Sequence, residues 1–251
     1  MPTRLPDAAP SSFEIAVVPD AAALAEAAAR EFARAAREAI AGRGIFRVVL
    51  AGGSTPRALY GRLARQPHRR SIPWDRVRFF WGDERCVPPD NERSNYRMAR
   101  ETLLEPLQIP AQRVLRMKGD QVPAAAARGY EWTIRKEFRG SPACFDLILL
   151  GLGEDGHTAS LFPGTAALAE SRRLVAANFV PKFGQWRITM TYRAINAARR
   201  IVFLASGVEK AAPVEKIVKK RRGYKELPAS GVVPRRGTLL WLLDEAAASK
   251  L

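Results

Sequence analysis

Cysteine and histidine are scarce in this chain, with two of each in 251 residues. Cys86 and Cys144 cannot build a disulfide framework, and neither has the close Cys or His neighbours of a zinc site. Cys86 follows Asp83-Glu84-Arg85, but no histidine lies near it in sequence, so an inert thiol is favoured over a nucleophile. No apolar run approaches the roughly 20 residues that span a bilayer, so no membrane partner is expected. Met1–Ser12 carries one basic residue before Pro6 and no apolar core after it, which fails as a secretory signal. Residues 1–12 read as a loose lead-in to a single domain over 13–251, and a cytoplasmic protein is expected.

Carboxylates are also outnumbered: 25 Asp and Glu against 41 Lys and Arg leave a net charge of +16. The excess is spread over Arg62–Arg70, Arg93–Arg100, Lys219–Arg222 and several Arg-Arg pairs. No aromatic stacking series or zinc-finger spacing is interleaved with it. Nucleic acid is therefore not the expected partner. A solvated basic surface that helps draw in an anionic substrate is the simpler account.

Helix and strand signals alternate along the chain. Asp20 is a good N-cap, Leu24, Ala28, Phe32, Ala36 and Ile40 recur every fourth residue, and Gly42 and Gly44 stop that helix. Strands are expected at Phe46–Leu50, Val77–Trp81, Phe145–Leu150, Arg187–Thr191, Ile201–Ala205 and Leu239–Leu243, with a short one at Val114–Met117. Helices are expected from Thr55-Pro56 to Leu63, Ser94 to Glu105, Pro123 to Phe138 and Gly207 to Lys220. Such alternation predicts an α/β fold: a three-layer, mostly parallel Rossmann-like sheet with helices on both faces. In such sheets ligands bind at the carboxyl ends of the strands. Those ends are the loops Ala51–Thr55, Gly82–Asn91, Gly151–Phe162 and Ser206–Lys210.

Each of these loops carries unusual polar residues. In Gly52-Gly53-Ser54-Thr55-Pro56, glycines admit a ligand to the backbone and the following helix start offers free N–H groups. The alternatives are a phosphate loop and an ordinary capped turn; the Gly-Lys-Ser/Thr ending of a P-loop is absent. Lys210 sits in the first turn of its helix, where the dipole disfavours a cation, so either a bound anion or Glu209 must balance it. Gly151-Leu152-Gly153-Glu154-Asp155-Gly156 matches a dinucleotide fingerprint. However, Pro163-Gly164 would cut its helix short, and Glu154 and Asp155 would repel a pyrophosphate, so no nicotinamide cofactor is expected.

His157 ends that loop with Asp155 two residues away, the arrangement in which a carboxylate fixes an imidazole tautomer. No Gly-x-Ser-x-Gly elbow is present, which favours a water nucleophile, and one histidine among carboxylates is a poor metal set. His68, between Pro67 and Arg69-Arg70, reads as solvated and without a role. Arg85 can clamp an anion or pair with Asp83 or Glu84; Arg187 and Lys182 are further basic candidates.

Taken together, Leu50-Ala51-Gly52-Gly53-Ser54-Thr55-Pro56, Trp81-Gly82-Asp83-Glu84-Arg85-Cys86-Val87-Pro88, Ser94-Asn95, Gly151–Pro163, Arg187–Thr191 and Gly207 with Lys210 resemble the glucosamine-6-phosphate isomerase/6-phosphogluconolactonase family, on its lactonase side. The resemblance spans roughly residues 13–245. It implies hydrolysis of 6-phospho-D-glucono-1,5-lactone, a phosphosugar lactone, without a metal or other cofactor, by a monomer or small homo-oligomer. It further implies His157 as general base and Asp155 orienting it. Gly52, Gly53, Ser54, Thr55, Arg85 and Lys210 would lie near the phosphate, and Arg187 near the substrate. Ala159-Ser160-Leu161-Phe162-Pro163 after His157 is similar to the lactonases, where the deaminases run toward Phe-Asn-Glu-Pro. Lys182-Phe183-Gly184 departs from the Lys-Pro-Pro pattern before the Arg-Ile-Thr strand.

Overall fold

A computed structural model describes residues 13–251; the expected lead-in, 1–12, lies outside the described residues. The elements in order are β1 (Phe13–Val18), α1 (Ala21–Arg43), β2 (Phe46–Leu50), α2 (Ser54–Leu63), α3 (His68–Ser71), β3 (Val77–Trp81), β4 (Asp83–Arg85), α4 (Asn95–Ala99) and α5 (Pro123–Glu137). The second half adds β5 (Leu147–Gly151), β6 (Val175–Val180), β7 (Gln185–Met190), α6 (Tyr192–Ile195), β8 (Arg200–Ala205), α7 (Ala211–Val218), β9 (Thr238–Asp244) and α8 (Glu245–Ala248).

Helix α1 forms as its pattern predicts. The Asp20 carboxylate accepts from the Ala23 N–H at 2.8 Å, and Gly44 ends the helix in the left-handed region at φ 71°. Its buried face is almost all alanine apart from Leu24 and Phe32, which lets the helix lie close against the sheet. The Phe32 ring meets Phe46 of β2 edge-on at 5.2 Å, and truncating it to Ala would cost about 3–5 kcal/mol.

Six parallel strands form the main sheet in the order β1-β9-β8-β5-β2-β3. Successive residues of its inner strands, such as Val48 and Val49 or Ile148 and Leu149, are equally buried, so helices cover both faces. This is the three-layer Rossmann-like arrangement that the alternation implies. After β3 the chain returns to the other side of β2 and then builds outward through β5, β8 and β9. The direction of winding therefore reverses between β2 and β5. A crevice opens at such a reversal, outside the carboxyl ends of the flanking strands.

Several expectations need correction. Strand β1 carries no clear signal because it is an edge strand with Glu14, Ile15 and Val17 exposed. The expected loop Gly82–Asn91 contains β4, which pairs antiparallel with β7; with β6 they make a separate three-stranded sheet, so Arg187–Thr191 does not belong to the parallel sheet. Val114–Met117 supplies only an isolated bridge, Val114 to Phe79. The helix expected over Ser94–Glu105 is α for one turn and then π over Arg100–Leu104. His68 is not solvated: it is buried, with Nε2 3.3 Å from the Glu26 carboxylate of α1.

Candidate active site

A cleft of about 320 Å³ lies at the reversal between β2 and β5. Gly52, Gly53, Ser54 and Thr55 after β2, Arg85 on β4, His157 after β5, Arg187 on β7 and Lys210 after β8 all line it. Asp155 does not line it but stands behind the imidazole. The loop after β2 is held in place by Tyr60 of α2, whose buried hydroxyl donates to the Ala51 carbonyl at 2.8 Å and accepts from the Ala51 N–H at 2.9 Å. Helix α2 begins two residues earlier than a Thr55 cap followed by Pro56 suggests. Its N-cap is Gly53 (φ 107°) and no side chain caps it, so the Ser54 and Thr55 N–H groups are left for a ligand. Gly52 has to be glycine, because a Cβ there would lie 1.9 Å from Asn95 Oδ1.

The His157 Nδ1 is 2.5 Å from Asp155 Oδ1, and the other carboxylate oxygen accepts from Lys182 Nζ at 2.9 Å. Partial burial would raise the Asp155 carboxyl, but hydrogen bonds from His157 and Lys182 outweigh it and hold the group at about 2. An ionised carboxylate at Nδ1 places the proton on Nδ1 and leaves the Nε2 lone pair free. Phe162 stacks on the imidazole with ring centres 4.0 Å apart and planes 20° apart. Gly153 makes room for the ring, since a Cβ there would lie 1.9 Å from His157 Nδ1.

Arg85 and Arg187 face each other across the β4–β7 register. Neither makes an ion pair with a carboxylate among the described residues, and the Nε of each is buried without a hydrogen-bond partner. Arg85 instead donates to the Arg93 carbonyl at 2.6 Å. Burial pulls the Arg187 guanidinium below its ordinary value, and the like charge of Arg85 adds to this. The neighbouring acids are otherwise engaged. Asp83 accepts from Ser160 Oγ at 2.6 Å and Asn95 Nδ2 at 3.1 Å. The Glu84 carboxylate caps α4, accepting from the Asn95 and Tyr96 N–H groups at 2.8 Å each. Lys210 is 3.6 Å from Glu209, so in the free protein the carboxylate balances it. The cleft therefore offers two guanidinium groups without counter-ions and an uncapped helix start, a strong attraction for an anion.

Residues 19–241 match the model of the family described as glucosamine-6-phosphate isomerases/6-phosphogluconolactonase. The chain belongs to this family. A 6-phosphogluconolactonase of Nostoc sp. is 41% identical over 217 residues, covering 85% of this chain and 88% of the relative. The solved structure of the 6-phosphogluconolactonase of Trypanosoma brucei superposes with a TM-score of 0.84 at 31% identity, covering 96% of this chain and 99% of that one. A monomeric glucosamine-6-phosphate deaminase shares the fold, with a TM-score of 0.78, 23% identity, and coverage of 95% and 100%.

Within this family frame, Gly151–Gly156 is not a dinucleotide loop. Turns and a small bridge between Thr158 and Leu161 follow it, and no helix starts there to receive a pyrophosphate. Cys86 is half-buried, and burial pushes its thiol up to about 11, so it is no ready nucleophile. Among the described residues no group of three or more His, Cys, Asp and Glu side chains is placed to hold a metal ion. No described helix is long and apolar enough to cross a membrane. The sequence assigned no roles to Asn95, Ser160, Phe162 and Phe183. Asn95, Ser160 and Phe162 lie inside the quoted motifs and Phe183 in the stretch that departs from the pattern; Asn95 and Ser160 engage Asp83, and the two phenylalanines lie against His157 and Arg187.

Proposed function

We propose that the chain hydrolyses 6-phospho-D-glucono-1,5-lactone to 6-phospho-D-gluconate, with His157 as general base and water as nucleophile. One observation carries this: His157, held through Nδ1 by Asp155, shares a cleft with Arg187, which is buried without a counter-ion. The similarity to proteins named 6-phosphogluconolactonase supports the substrate, and the deaminase, at 23% identity, supports only the fold.

The uncapped start of α2 with Gly52, Gly53, Ser54 and Thr55, together with Arg85 and Lys210, takes the phosphate. Lys210 exchanges Glu209 for the ligand, and Arg187 meets the sugar. His157 Nε2 removes a proton from water as its oxygen attacks C1, and the carbonyl becomes a tetrahedral oxyanion. Collapse of that oxyanion breaks the bond from C1 to the ring oxygen, which takes the proton back from Nε2. The products are a carboxylic acid, which ionises at once, and a free hydroxyl. Anchoring the remote phosphate spends binding energy on placing C1 against the water. General-base assistance of this kind contributes about 10²–10⁴-fold. No step needs a metal or a cofactor.

A coupled assay tests this, with glucose-6-phosphate dehydrogenase generating the lactone, 6-phosphogluconate formation followed, and the spontaneous rate subtracted. Wild type should accelerate hydrolysis. His157→Ala should lose about 10²–10⁴ in kcat while binding 6-phosphogluconate within about threefold of wild type. Equal losses in turnover and binding would make His157 a binding residue. A wild type no faster than the spontaneous reaction would refute the lactonase assignment and direct the next assay to glucosamine 6-phosphate.

A further inference from the structure

Arg187 is in an electrostatically unfavourable place. It is only 9% exposed, has no carboxylate partner among the described residues, and lies in register with the like charge of Arg85. Burial and repulsion both favour swinging the guanidinium out to solvent. Asp83 and Glu84 attract the guanidinium without pairing with it, and the side chain that lies against it is Phe183, on the turn between β6 and β7, whose ring centre is 5.4 Å from the Arg187 guanidinium carbon. An aromatic face attracts a cation through its quadrupole, and most strongly where water is excluded.

The same ring presents its plane at 82° to Phe162, with centres 5.6 Å apart, and Phe162 in turn stacks on His157. Its neighbour Lys182 is tied to Asp155 at 2.9 Å, so the turn is moored to the loop that carries the imidazole. Phe183 itself lines the cleft although it is 45% exposed, more than packing alone would select for a large apolar side chain. Gly184, at φ 57°, ends the turn.

We propose that Phe183 is a positioning residue of the lactone-hydrolysing site: its face holds the Arg187 guanidinium in the cleft for the anionic substrate, and its edge steadies the Phe162–His157 stack. This rests on the lactonase function proposed above and adds a determinant of substrate affinity.

The test uses the full-length protein and three variants. Phe183→Leu keeps apolar bulk but removes the aromatic face, Phe183→Tyr keeps the face, and Phe183→Ala removes both. KM and kcat come from the coupled assay, and Kd for 6-phosphogluconate from calorimetry. Phe183→Leu should raise KM and Kd by roughly three- to tenfold with kcat little changed, and Phe183→Tyr should restore wild-type values. Phe183→Ala should lower kcat as well, because the Phe162 contact is lost. Leu and Ala variants that bind and turn over like wild type would overturn the proposal. So would a Leu variant that matches Tyr, since bulk alone would then suffice. Both of these outcomes leave the lactonase assignment standing. A wild type that neither hydrolyses the lactone nor binds 6-phosphogluconate would overturn that assignment and the role of Phe183 with it.

Discussion

Replacing Asp155 by Asn keeps the shape of the side chain but removes the charge and puts a donor amide within reach of Nδ1. An amide N–H facing Nδ1 stabilises the other imidazole tautomer, with the proton on Nε2, and that nitrogen can then no longer accept a proton from water. The whole general-base contribution is at risk, so kcat should fall about 10²–10⁴-fold while KM stays within about threefold. Stability should respond separately. The fold holds the Asp155 carboxyl at about 2 instead of 3.8, corresponding to roughly 2 kcal/mol in favour of the folded carboxylate. A carboxyl depressed by folding contributes stability that is complete above its unfolded value and is lost as pH falls through its folded value. The deficit of Asp155→Asn should therefore be about 2 kcal/mol at pH 5 and less than half of that near pH 2.5. Urea unfolding at the two pH values reads the stability term, and the coupled lactone assay reads the rate. A kcat within threefold of wild type would refute the assigned role of Asp155. A stability deficit that does not change between pH 5 and pH 2.5 would refute its electrostatic origin.

Gly153→Ala should displace the imidazole, because the new Cβ would lie 1.9 Å from Nδ1. Turnover should fall by about as much as in His157→Ala, some 10²–10⁴-fold, with the circular dichroism spectrum unchanged. Half-maximal activity or better in this variant would show that the ring has room to move. Ser160→Ala removes a fully buried hydroxyl that donates to Asp83 at 2.6 Å and leaves part of a buried carboxylate unsatisfied. It should cost about 1–3 kcal/mol, or roughly 3–10 °C in melting temperature, measured by thermal unfolding. A melting point equal to wild type would mean that water replaces the hydroxyl.

Where the local chain decides the outcome, the sequence was legible. The Asp20 cap, the fourfold spacing after Leu24 and the left-handed stop at Gly44 are all short-range, and α1 follows them within about one residue. Apolar runs such as Phe46–Leu50 could be read as buried strands because both faces of each are covered. Strand β4 could not be read that way. Asp83-Glu84-Arg85 has no apolar pattern, and only pairing with Thr189, Ile188 and Arg187, about a hundred residues later, makes it a strand. His68 looks solvated among prolines and arginines; it is buried because Glu26, on a helix 42 residues earlier, comes to lie against it.

The same distinction holds for the site. The residue types, the glycines that admit a ligand, the two loops at helix starts and the single histidine with a carboxylate two positions away were all present in the sequence. The pairing of His157 with Asp155 is local and needed little more than the loop itself. The tertiary structure decided what is not local. The reversal of winding between β2 and β5 brings the loop at Gly52 and the loop at His157 into one cleft. The network of Ser160, Asn95 and the α4 N-terminus occupies Asp83 and Glu84, which would otherwise neutralise the arginines beside them. Whether a cation is free for a ligand depends on which carboxylates the fold has already engaged, and that balance is set by the nearby start of α4 and by a loop 77 residues away.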